Sequence, residues 1–297
     1  MGYMNPLNAM PKYNLFGLDD QDYKKARVAV LPIPYDATLT YKTGSREGPR
    51  AIINASRTME LYSYELGRDL SKLGVYTMDE LEPDYSSPEN MVKRVKKEVG
   101  VLLDDKKIPL ILGGEHTVTV GAVQALQEKG REFSVIQFDA HTDSRDELNN
   151  SKYMHATVMS RVMEACDSYL HVGIRNIDEA YSKKMKRERV LFMSDIHGKD
   201  VLDIIDRIND ATLQNVYITI DLDVLDPSEM PSVGTPEPDG LRFGELAAML
   251  KGIGEKKQLA GLDIVELSPI AGLHAPDFLA AKLAYLTLGY FLGKELD

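Results

Sequence analysis

Asp139-Ala140-His141-Thr142-Asp143 and Asp221-Leu222-Asp223-Val224-Leu225-Asp226-Pro227 each concentrate carboxylates directly after an apolar run, at 134–138 and 216–220. Alternate residues of an extended chain point the same way. Asp139, His141 and Asp143 are therefore expected to share one side, as are Asp221 and Asp223. Crowding that many carboxylates is prohibitive unless a cation neutralises them. The strings point to bound metal, and their number of carboxylates to two ions. A third string, Gly113-Gly114-Glu115-His116-Thr117, follows the run 108–112. Its glycines read as a tight strand-to-helix turn. His116 alone would read as structural; beside the other two strings it becomes a candidate ligand. The Gly-rich phosphate-binding fingerprints and their Lys are missing.

These strings need a scaffold that brings them together. Apolar runs recur at 28–33, 73–76, 108–112, 134–138, 169–173, 190–194, 216–220 and 259–265. Several precede segments with helical spacing, at 91–99, 118–126 and 278–292. Strands alternating with helices predict an α/β fold with a mostly parallel sheet covered on both faces. Ligands of such sheets bind beyond the carboxyl ends of the strands, where the acidic strings fall. The Pro/Gly-rich stretch 227–240 reads as an active-site loop rather than a boundary, and one domain over 1–297 is expected.

Lys plus Arg total 35 against Asp plus Glu 46, a formal net charge of -11, which argues against a nucleic-acid partner. The single cysteine, Cys166, excludes an intramolecular disulfide and a thiolate zinc site. The N-terminus lacks the order of a signal peptide, and the apolar stretch 278–292 is too short to span a bilayer and carries Lys282. A cytoplasmic protein with no membrane partner is expected.

The three strings together resemble the ureohydrolase family of arginases, agmatinases and related guanidine-cleaving enzymes, whose strings read Gly-Gly-Asp/Glu-His, Asp-Ala-His-x-Asp and Asp-x-Asp-x-x-Asp-Pro in this order. The resemblance covers nearly the whole chain. It implies a three-layer α/β/α fold with an eight-stranded parallel sheet, and a homo-oligomer, trimer or hexamer. It also implies two Mn2+ ions per chain: one held by His116, Asp139, Asp143 and Asp221, the other by Asp139, His141, Asp221 and Asp223. Carboxylates with imidazole and no thiolate suit Mn(II). Two ions about 3.5–4 Å apart lower the pKa of a shared water, supplying the hydroxide that attack on a guanidinium carbon requires.

By the same resemblance Glu266, after the last strand, grips the substrate guanidinium, to which a carboxylate is well matched. His155 stands where relatives carry His-Gly and shuttle a proton to the leaving amine; here Ala156 replaces the Gly. Ile270-Ala271-Gly272 follow Pro269 where many relatives carry an Asp. Val233-Gly234-Thr235-Pro236-Glu237-Pro238 looks like the agmatinase version of its loop, and 44–52 resembles the family's N-terminal segment. The Ser-Gly-Asn element by which arginases recognise the amino-acid end of arginine is missing from 144–154. Asp146 and Glu147 would attract the free ammonium of agmatine, whereas Arg145 would favour a guanidino acid. The expected reaction is therefore cleavage of agmatine to putrescine and urea. Aminopropylagmatine, guanidinobutyrate, arginine and formimidoylglutamate are the alternative substrates. A two-metal phosphoesterase and a silent binding subunit are the remote readings.

Overall fold

A computed structural model describes residues 10–19 and 21–296. The first nine residues, part of the segment read above for a targeting signal, lie outside the described residues. Among the described residues eight strands form one sheet: β1 (Val28–Ile33), β2 (Val75–Thr77), β3 (Ile108–Gly113), β4 (Ser134–Phe138), β5 (Tyr169–Ile174), β6 (Val190–Phe192), β7 (Asn215–Asp221) and β8 (Gln258–Val265). Their spatial order is β2-β1-β3-β8-β7-β4-β5-β6 and every pairing is parallel. A two-stranded antiparallel ribbon, Tyr62–Ser63 with Arg68–Asp69, lies apart from it.

Parallel strands need crossovers, and the helices that supply them cover both faces. Helices α1 (Gly48–Ser56), α5 (Val201–Ala211), α6 (Phe243–Lys256) and α7 (Ala275–Leu292) pack on one face, against Val28, Val30, Leu110, Leu112, Ile136 and Ile218. Helices α2 (Pro88–Asp104), α3 (Val118–Glu128) and α4 (Val158–Ala165) cover the other, against Ala29, Leu31, Ile111, Val135 and Tyr217. The period-two alternation of each strand thus fills two cores. The last helix is buried nearly all round because α1 and α6 of the same chain flank it. No helix among the described residues is long and apolar enough to cross a membrane.

Two expected strands are differently placed. The run at 73–76 begins with a 3-10 turn, Leu70–Leu73, which starts where the Asp69 carboxylate accepts from the Ser71 amide. Gly74 then reverses the chain at φ 70° before β2. The run at 190–194 stops at Phe192, where the Asp195 carboxylate accepts from the Phe192 amide and starts a helical turn, Met193–Ile196. In both places a local side-chain-to-backbone bond competes with the ladder and wins.

Candidate metal centre and cavity

Strands β3, β8, β7 and β4 are neighbours at the centre of the sheet, and each delivers its chemistry at its carboxyl end. His116 follows β3, Glu266 follows β8, Asp221 ends β7, and Asp139 follows β4. This is the reversal point of the strand order, where parallel sheets open a crevice.

The ligand-type side chains converge, though not by simple extension. Asp139 follows its strand directly, but Asp143 sits at φ 45°, in the left-handed region. Asp221 accepts from the Asp223 amide at 2.9 Å, which turns Leu222–Val224 into a 3-10 helix and swings Asp223 round. The expectation that these residues share a side because the chain stays extended is therefore corrected. Tight carboxylate-to-amide turns bring them together.

His116 Nδ1 lies 3.3 Å from Asp139, 3.1 Å from Asp143 and 3.5 Å from Asp221. His141 Nδ1 lies 2.9 Å from Asp223 and 3.6 Å from Asp139. Two groups of donors result, His116–Asp139–Asp221 and Asp139–His141–Asp223, with donor atoms within 4.8 Å of one another and Asp139 common to both. His116 and Asp139 are fully buried, and the side chains of Asp221 and Asp223 are only 5% and 3% exposed. Burial pushes the Asp221 carboxyl well up, reinforced by Asp223 and Asp139. Burial opposes charge on His116, yet Asp139, Asp143 and Asp221 outweigh it and hold its pKa well above the usual value. Oxygen and imidazole donors crowded in a buried cluster fit divalent cations of the Mn(II) kind.

Gly114 is fixed by close approach: a Cβ there would fall 2.1 Å from the Tyr35 carbonyl oxygen. The chain can thus turn from β3 and present His116, whose Nε2 lies 2.8 Å from Thr219 Oγ1, leaving Nδ1 for the carboxylates. Glu266 has φ 68°, uncommon for a residue with a side chain. Its amide donates to Gly114 O at 2.8 Å, and its carboxylate accepts from the His116 amide at 2.7 Å. Burial, then the nearby Glu115 charge, pushes the Glu266 carboxyl well up.

A cavity of about 480 Å3 opens over these groups. His155 lies on its wall, with Nε2 3.1 Å from Thr40 Oγ1. Its amide donates to Thr38 Oγ1, and Thr38 in turn donates to Glu115 through both its amide and its hydroxyl. Burial holds Glu115 up, at a pKa of about 7. Burial lowers the His155 pKa, against the pull of Asp143. Arg145 also lines the cavity and pairs with Asp178 at 3.4 Å. Asp146 does not line it; its carboxylate pairs with Lys184 at 3.0 Å, on the exposed outer side of the loop.

Sequence reasoning missed several residues around the site. Arg175, beyond β5, donates to the carbonyls of Asp223, Glu237 and Pro238 at 2.6, 2.8 and 2.9 Å, and so staples the Pro/Gly-rich loop to the end of β7. Asp178 lines the cavity rim. Gln137, and His171, which the sequence marks as a structural or surface residue, lie fully buried on neighbouring strands. A polar residue interrupting a buried apolar run was the available signal for both.

Comparison with known proteins agrees with this geometry. A sequence profile of the arginase family matches residues 26–289. The N(1)-aminopropylagmatine ureohydrolase of Synechocystis sp. is 37% identical, over 97% of this chain and 96% of its own length. The agmatinase of Pyrococcus horikoshii is 31% identical, over 90% of this chain and 93% of its own. The solved agmatine ureohydrolase of Thermoplasma volcanium superposes with a TM-score of 0.85 at 30% identity, covering 94% of each chain. The chain belongs to the arginase family of ureohydrolases.

Proposed function

We propose that the protein is a binuclear manganese hydrolase that cleaves the guanidinium group of a linear guanidino amine, releasing urea. One observation carries this reading: two His/Asp clusters share Asp139 at the base of a cavity whose wall also carries Glu266 and His155. His116, Asp139, Asp143 and Asp221 would hold one ion, and Asp139, His141, Asp221 and Asp223 the other. The ions, when bound, supply Lewis acidity and ionise water at neutral pH.

The chain's own residues do the rest. The buried Glu266 carboxylate carries a charge that is costly until a cation arrives, and a guanidinium supplies that cation with a matching planar fork. His155, held by Thr40, accepts a proton and delivers it to the leaving amine nitrogen. Asp178 faces the cationic tail from the rim, where Arg145 competes for it.

N1-aminopropylagmatine is the leading substrate, hydrolysed with one water to spermidine and urea. Agmatine, expected from the sequence and yielding putrescine and urea, takes second place. Relatives named for the longer substrate reach 35–37% identity, and those named agmatinase reach 29–31%. Measuring urea release from both substrates by Mn(II)-reconstituted protein tests this. A higher kcat/KM for the aminopropyl compound is expected, and a clear preference for agmatine would reverse the order.

A further inference from the structure

Asp139 divides its carboxylate between the two clusters. Oδ2 lies 3.3 Å from His116 Nδ1, and Oδ1 lies 3.6 Å from His141 Nδ1. Each oxygen also accepts one outer N–H. Oδ1 takes the His141 amide at 2.6 Å, and Oδ2 takes Gln137 Nε2 at 2.6 Å. One lone pair per oxygen is thereby occupied, and one is left to face its own cluster.

Gln137 sits in β4, fully buried, with both ends of its side-chain amide engaged. Its amide nitrogen donates to Asp139 and, at 3.4 Å, to the His141 carbonyl. Its carbonyl oxygen accepts from His171 Nδ1, while His171 Nε2 lies 3.1 Å from Tyr181 OH. The direction of every bond in this chain is fixed from one end. An ionised carboxylate only accepts, so Gln137 must present its NH2 to Asp139 and its oxygen to His171. His171 must then carry its proton on Nδ1 and accept from the Tyr181 hydroxyl. Burial holds the His171 pKa down to about 4, consistent with a neutral ring. A flipped amide would set oxygen against oxygen at Asp139 and two donors face to face at His171.

We propose that Gln137 is a positioning residue that holds Asp139 as the ligand shared by two cations, and that His171 locks the Gln137 amide in the orientation this requires. The inference rests on the metal-binding reading of the clusters. Outer partners of metal ligands are worth roughly 10- to 100-fold in metal affinity.

The test is Mn(II) titration of the metal-free full chain, read by the electron paramagnetic resonance of free ion and of coupled ion pairs. Gln137→Leu is expected to weaken uptake roughly 10- to 100-fold and to lose the coupled-pair signal first. His171 gives the second arm, because an Asn side chain keeps an N–H donor near the place of Nδ1 while Leu keeps none. His171→Asn should retain affinity and pair signal, and His171→Leu should lose both. A packing role alone would make the two His171 variants equal, and that result would overturn the proposal. So would wild-type affinity and an intact pair signal in folded Gln137→Leu. Wild-type protein that took up no Mn(II) would instead overturn the ligand reading on which the proposal stands.

Discussion

Thr40 Oγ1 lies 3.1 Å from His155 Nε2, and the same short loop ties the His155 backbone to Glu115 through Thr38. The string that supplies His116 therefore also places the His155 imidazole. His155→Asn is expected to lower kcat by about 10²- to 10⁴-fold, the usual worth of a positioned acid–base group. Thr40→Val should lower it less. Both should keep wild-type metal content, checked by elemental analysis. An unchanged kcat in His155→Asn would remove the residue from the mechanism.

Metal uptake should release protons. Carboxylates hold the His116 pKa well above the usual imidazole value against the effect of burial, and burial holds Asp221 and Glu266 well above theirs. A cation takes neutral imidazole and ionised carboxylate, so its binding displaces the protons that these raised pKa values favour. Apparent Mn(II) affinity is thus expected to fall as pH falls and to rise towards neutrality and above. Calorimetric titration in buffers of different ionisation enthalpy measures the proton count, and a count of zero at pH 7 would contradict this.

Glu266→Gln keeps the shape and removes the charge proposed to meet the guanidinium. A charge-assisted hydrogen bond is worth about 1.5–3 kcal/mol, or roughly 10- to 150-fold in kcat/KM. Steady-state kinetics at saturating Mn(II) would show that loss, and wild-type kcat/KM would rule the contact out.

The rim pair gives opposite signs. Arg145→Ala frees Asp178 for a cationic tail, so KM for a guanidino amine should fall, whereas Asp178→Ala should raise it. Each effect is expected at roughly fivefold, since exposed ion pairs are worth up to about 1 kcal/mol. Equal shifts in the same direction would show that this pair does not read the tail.

Gly114→Ala places a Cβ against the Tyr35 carbonyl, an approach no rotamer can relieve. Overpacking of this kind costs about 1–3 kcal/mol. The urea unfolding midpoint of the metal-free protein should fall accordingly, and an unchanged midpoint would show that the turn yields.

Much of this was legible before the structure. Strands announced themselves where β-rich apolar runs ended in Gly or Asp, as at Ile108–Gly113 and Asn215–Asp221, because both sheet faces are buried. The three strings named the cluster residues because few other arrangements place His and Asp so densely after strands. Legibility failed where one local bond decides the backbone, as at Asp69–Ser71 and Asp195–Phe192. It failed again where partners are remote in sequence. Nothing near Arg175 reveals that it donates to carbonyls at the end of β7 and in the loop that follows, and nothing near Asp146 reveals that it pairs with Lys184. These pairings exist only once β4, β5 and β7 are side by side.

Whether two cations sharing Asp139 serve guanidino hydrolysis is tested by titrating metal-free protein with Mn(II) while recording bound ion and urea release together. Two ions per chain are expected, with urea release from a linear guanidino amine reaching its plateau as the second binds. Folded protein holding two ions per chain and releasing no urea from either aminopropylagmatine or agmatine would contradict this.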